Sequence, residues 1–156
     1  MPYQASMHDQ EPDIELIELM FFAYRDFVGE PDRLLARHGF GRAHHRVLHF
    51  INRHPGLTVA ELLDILQITK QSLARVLKDL IAVHFVLQKA GTEDRRQRLL
   101  FLTPQGMALA EALAGMQGKR MARALEHVGP DHRAIIAQFL AGLIDQPSEA
   151  TKPDLP

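Results

Sequence analysis

The chain has 156 residues, a hydrophobic fraction of 46%, no cysteine and a formal net charge of -1 at pH 7. That length suits one domain and that composition a folded one, which excludes disulfides, zinc–thiolate centres and thiol redox switches and argues against disorder. No apolar run approaches the ~18 residues of a membrane span, and the polar, acidic opening MPYQASMHDQEPD has the pattern of neither a signal nor a transit peptide, so a cytoplasmic protein without membrane association is expected.

Residues 1–12 read as a disordered tail. From Ile14 to Val28 the pattern is helical and densely apolar, wider than the stripe a surface helix needs, so a partner subunit is the natural second cover. Gly29 is expected to break this helix and Pro31 to open a further turn running to His38. After Gly39-Phe40-Gly41, residues Arg42 to His54 form a helix with Val47, Leu48, Phe50 and Ile51 inward, and Pro55-Gly56 ends it.

The stretch LTVAELLDILQITKQSLARVLKDLIAVHFV, residues 57–86, is the most informative. Thr58 and Glu61 make a capping box for a short helix with Leu62, Leu63 and Leu66 on its apolar face. Only Gln67 and Ile68 separate it from the next helix, for which Thr69 is the N-cap. Leu73, Val76, Leu77, Leu80 and Ile81, at spacings of three and four, face that helix inward. Its other side offers Lys70, Gln71, Ser72 and Arg75, with Lys78 further along.

Two strands, Phe85–Lys89 and about Gln97–Leu102, form a hairpin with a long charged tip. Thr103-Pro104 then caps a long helix from Gln105 to about His127. Gly129-Pro130 restarts the chain into a last helix with the stripe Ile135/Ile136, Phe139/Leu140, Leu143/Ile144. Residues 146–156 are expected to be a second disordered tail.

The fold class expected is mainly α with a small β-wing. A short helix, a tight turn and a second amphipathic helix make a helix-turn-helix. Such a second helix fits the major groove, and side chains near its N-terminus reach base edges. Gln pairs bidentately with adenine, Arg and Lys with guanine, and Ser or Thr bond bases or phosphates. Arg95, Arg96 and Arg98, on or beside the hairpin tip, suit a narrow minor groove. Asp94, two residues before Arg96, is expected to hold its guanidinium in a bidentate pair.

Charge supports a polyanionic partner. Residues 1–36 carry eight acids and two bases (-6), residues 37–98 eleven bases and five acids (+6) with six of the nine histidines, and residues 99–156 five bases and six acids (-1). A basic middle between acidic or neutral ends is the footprint of a nucleic-acid binder. Chance clustering on a solvated surface would give the same counts, so charge alone does not decide.

The run ITKQSLARVLKDLIAVHFV followed by TEDRRQRLLFLTPQG resembles the MarR family of bacterial regulators, most closely in DRRQRLLFLTPQG, where an Asp-x-Arg wing motif leads into a strand ending Leu-Thr-x-x-Gly. The likeness spans about residues 14 to 145. It implies a homodimer with intertwined N- and C-terminal helices (13–38 and 105–145) around a winged helix-turn-helix (42–104). It implies palindromic double-stranded DNA as partner, repression as the mode, and release by a small-molecule effector of unknown identity, with no other cofactor. By motif position Asp94 and Arg96 are the wing pair, and Thr69 to Arg75 read bases and phosphates. Where the family pattern has Gly before and after the recognition helix, this chain has Gln67 and His84. A left-handed backbone there costs a residue with a Cβ something.

His38, His44, His45, His49 and His54 sit on or beside one helix. His45 and His49, at i and i+4, are spaced to chelate a metal, but carboxylates to complete a site are sparse in residues 37–60, and no metal is expected. Phosphate contact or plain solvation are the alternatives. Protonation of these rings near pH ~6.5 is expected to tighten DNA binding and blunt its specificity. Methionines 107, 116 and 121 suit either a pliable ligand pocket or packing in a dimer core. No nucleophile elbow, phosphate loop or HExxH pair supports an enzyme. A histidine-dependent metal-sensing regulator and a winged-helix protein-interaction module remain as rivals.

Overall fold

The computed structural model describes residues 11–145, so the tails expected at 1–12 and 146–156 lie outside it except for residues 11 and 12, which have no regular structure. Helix α1 (Ile14–Ala36) is capped by Asp13, whose carboxylate accepts from the Leu16 amide at 3.0 Å. It runs 23 residues without interruption. Gly29 does not end it and Pro31 does not begin a new helix, contrary to the sequence expectation. Proline cannot donate to the carbonyl four residues back, here that of Phe27. The side chain of Gln117, from a later helix, donates to that oxygen instead, Nε2 to O at 3.3 Å. Pro31 is buried with Val28 and Leu35, so packing holds the helix together across it. The helix ends where Gly39 turns to φ +74° and the Phe40 amide returns to the Leu35 carbonyl at 3.0 Å.

Helix α2 (Arg42–Arg53) buries Val47, Leu48 and Ile51 and half-buries Phe50. Strand β1 (Leu57–Thr58) follows. Helices α3 (Val59–Leu66) and α4 (Lys70–Ala82) are capped as their sequences demand: Thr58 Oγ1 accepts from the Glu61 amide at 3.1 Å and Thr69 Oγ1 from the Ser72 amide at 3.0 Å. Strands β2 (Val86–Ala90) and β3 (Arg98–Leu102) pair antiparallel with Val86 opposite Leu102 and Ala90 opposite Arg98. β1 adds to the far edge of β3, Leu57 opposite Leu100, giving the order β1-β3-β2. The sheet therefore has three strands rather than the two expected; β1 is too short to announce itself by alternation.

Helix α5 (Pro104–Val128) starts with Thr103 as N-cap and Pro104 in its first turn. Gly129, at φ +100°, turns the chain into a 3-10 turn (Pro130–His132) and helix α6 (Arg133–Gly142), which stops short of Leu143 and Ile144.

One core joins these elements. Leu35, Leu48, Ile51, Leu62, Leu73, Leu80, Leu100 and Leu113 are each almost wholly buried, drawn from α1 through α5 and β3. At about 1.5–3 kcal/mol for each buried side chain, this cluster holds the helix-turn-helix and its sheet as one body. A second apolar surface has no cover among the described residues. Every residue from Ile14 to Asp26 is exposed, Phe21 to 69%, and no residue of α6 is buried, Ile135 being 64% and Phe139 51% exposed. Met121 of α5 lines the groove between these two helices with Met20 and Leu140.

Candidate nucleic-acid interface

α4 is held on the core by Leu73, Val76, Leu77 and Leu80, all buried. Its remaining surface is exposed, and there lie Thr69, Lys70, Gln71, Arg75 and Lys78, with Ser72 half-buried. Helical spacing divides them: Lys70 and Lys78 share a ridge with Ala74 beside α3 and β2, while Gln71 and Arg75 share the next ridge. Thr69 and Ser72 are committed to each other, since Thr69 Oγ1 donates to Ser72 Oγ at 2.8 Å while accepting the Ser72 amide. These two hydroxyls set the helix start, and Lys70, Gln71 and Arg75 extend from it.

The end of α4 is fixed just as closely. His84 sits in the left-handed region at φ 61°, as does Gln67 before the helix at φ 53°. The His84 carbonyl accepts from Thr103 Oγ1 at 2.6 Å, and the Thr103 amide donates to the Phe85 carbonyl at 3.1 Å. Gly106 lies directly against Phe85, so that a Cβ there would be driven into the Phe85 carbonyl oxygen. The Leu-Thr-x-x-Gly motif thus clamps the start of α5 onto the turn that ends α4.

Arg95, Arg96 and Arg98 are exposed on the hairpin, with Asp94 beside them. Asp94 does not grip the Arg96 guanidinium as expected. Its Oδ1 accepts from the Arg96 amide at 3.0 Å, and its carbonyl accepts from the Gln97 amide at 3.1 Å. The carboxylate satisfies the nearest backbone donor first, as Asp does in turns, and shapes the tip while leaving the arginines exposed. The turn closes with the Gly91 amide on the Gln97 carbonyl at 3.0 Å.

The histidines divide by environment. His45 is buried, and burial, then the neighbouring His49, lowers its pKa. Burial of the His49 ring likewise lowers its pKa, with Arg53 and His54 adding to the effect, although the residue keeps an exposed edge. Two rings counted on for low-pH charge therefore resist protonation. His45 and His49 do not present a shared exposed face, and among the described residues no three His, Asp or Glu side chains converge on a metal-sized site. His44 has a different place that sequence reasoning missed. Its Nδ1 accepts from the Gly41 amide at 3.1 Å, so Nε2 carries the proton and donates to Asp79 Oδ2 of α4 at 2.9 Å. Its ring stacks on Phe40 with centroids 4.8 Å apart.

A helix-turn-helix whose second helix shows cations and an amide to solvent, beside a hairpin tipped with arginines, defines the winged helix-turn-helix class. The MarR family pattern matches residues 38–97. The HTH-type transcriptional regulator PetP of Rhodobacter capsulatus is 49% identical over 129 residues, which are 83% of this chain and 78% of that protein. Among solved structures, Streptococcus pneumoniae FabT in complex with DNA superposes with a TM-score of 0.71 at 15% identity, covering 83% of this chain and 92% of FabT. The transcriptional repressor CouR bound to a 23-mer DNA duplex gives 0.65 at 23% identity, covering 83% and 89%. The chain belongs to the MarR family of transcriptional regulators, which are not enzymes.

Proposed function

We propose that two copies of this chain bind a palindromic DNA duplex and repress transcription, Gln71 and Arg75 reading bases, Lys70 and Lys78 contacting phosphates, and Arg95, Arg96 and Arg98 entering the flanking minor groove. The observation that carries this reading is the outward set on α4 and the wing, anchored by a buried apolar face and a clamped helix end. The bound duplexes of FabT and CouR support it by fold.

The second copy is called for by the uncovered apolar surface. Phe21, Phe22, Tyr24, Ile135, Phe139 and Leu143 are all more than half exposed, more than a monomeric surface normally carries in one region. Sedimentation equilibrium should report a dimer, and Phe139→Asp should shift it toward monomer; a wild-type monomer at micromolar concentration would remove this part. The chain needs no resident cofactor for this work, and a small-molecule effector would act by changing the spacing of the two recognition helices. DNA binding is tested by anisotropy with a duplex selected by the wild-type protein from a randomised pool. Affinity should fall steeply between about 50 and 200 mM salt, as counterion release requires. Absence of binding, or binding indifferent to salt, would contradict the reading.

A further inference from the structure

The α4 sequence KQSLARVLKDLIA contains three cations and a single carboxylate, Asp79. An acid on a helix that approaches phosphates is a liability, and its position sharpens the problem. Asp79 lies four residues after Arg75, where side chains on one helix face meet. Yet among the described residues no carboxylate stands within 4.0 Å of Arg75, because Asp79 is turned the other way, to His44 of α2. His44 is itself locked. Both ring nitrogens are engaged, its ring lies on Phe40, and its side chain is only 14% exposed.

We infer that His44 is a positioning residue for DNA binding: it holds the half-exposed Asp79 carboxylate toward α2 and so keeps Arg75 available to the duplex. Without His44, the carboxylate swings onto the Arg75 guanidinium and takes that cation from the interface. The inference rests on the proposed DNA-binding function, and the experiment separates the two.

Affinities for the duplex selected by wild-type protein are measured for His44→Ala, Arg75→Ala, the pair His44→Ala/Arg75→Ala, and the pair His44→Ala/Asp79→Asn. The same single and double variants are built on His44→Phe beside His44→Ala, because phenylalanine keeps an aromatic ring on Phe40 and loses the nitrogens, so a folding defect of the alanine variants leaves the outcomes readable. Loss of the nitrogens should weaken binding about tenfold. Arg75→Ala should cost about tenfold in the wild type and less than threefold once His44 is gone, a non-additivity expected only if the two act through one contact. Adding Asp79→Asn should restore affinity to within about twofold of wild type, which a merely structural role for His44 would not allow. Additive losses, or no recovery with Asp79→Asn, would overturn the inference while leaving the proposed function intact. Failure of the wild type itself to bind would instead overturn that function.

Discussion

His84 ends the recognition helix in a conformation that charges a residue for having a Cβ, and replacing it should stabilise the protein. At φ 61°, the left-handed backbone costs a residue with a Cβ about 1–2 kcal/mol. His84→Gly removes that cost and returns about 0.4–1 kcal/mol of it through the greater freedom of glycine in the unfolded chain. The backbone bonds survive the change: the His84 amide still reaches the Ile81 carbonyl at 3.0 Å and its own carbonyl still accepts from Thr103. The net gain is about 0.5–1 kcal/mol, which for a chain of this length raises the melting temperature by about 2–3 °C. Thermal unfolding is followed by circular dichroism at one fixed protomer concentration, since the proposed dimerisation would make the midpoint concentration-dependent. His84→Ala is the control, because it loses the imidazole and keeps the Cβ. If His84→Ala gains as much as His84→Gly, or if His84→Gly gains nothing, backbone strain at this turn is not what the position stores.

Gly106→Ala should act in the opposite direction, lowering urea-unfolding stability by about 1–3 kcal/mol, because the added methyl meets the Phe85 backbone rather than a side chain that can swing aside. Stability should also fall as pH drops below about 6.5. His45 and His49 have lowered pKa values in the folded protein, so above that pH both states are neutral, and below it the unfolded chain takes up protons that the folded one resists. The urea midpoint should be lower at pH 5.5 than at 7.5, with His49→Gln reducing the difference. At the interface, Arg96→Ala should weaken binding to all duplexes alike, about tenfold, whereas Gln71→Ala should change which base is preferred, by about 1–3 kcal/mol of discrimination, with less effect on overall affinity; anisotropy over a panel of single-base variants distinguishes the two.

What the sequence made legible was local. The recognition helix could be read because Leu73, Val76, Leu77 and Leu80 repeat at helical spacing and Thr69 carries its cap within three residues. The strain at Gln67 and His84 was readable by comparison with the family's glycines. The misses depend on distant partners. Pro31 continues a helix because Gln117, far along the chain, donates to the carbonyl that proline orphans. β1 is two residues long and exists because β3 offers an edge. The His44–Asp79 bond joins residues 35 positions apart, and no local pattern announces it. Asp94 is a different case, since an Asp bonding the amide two residues on is ordinary turn chemistry, and that signal was available.

Amide hydrogen exchange of the protein with and without its selected duplex tests most directly whether α4 and the hairpin tip are the DNA-reading surface. Protection concentrated in residues 69–78 and 92–98 is the expected result. Strong duplex binding with protection confined to α1, α5 or α6, and those two segments unchanged, would contradict it.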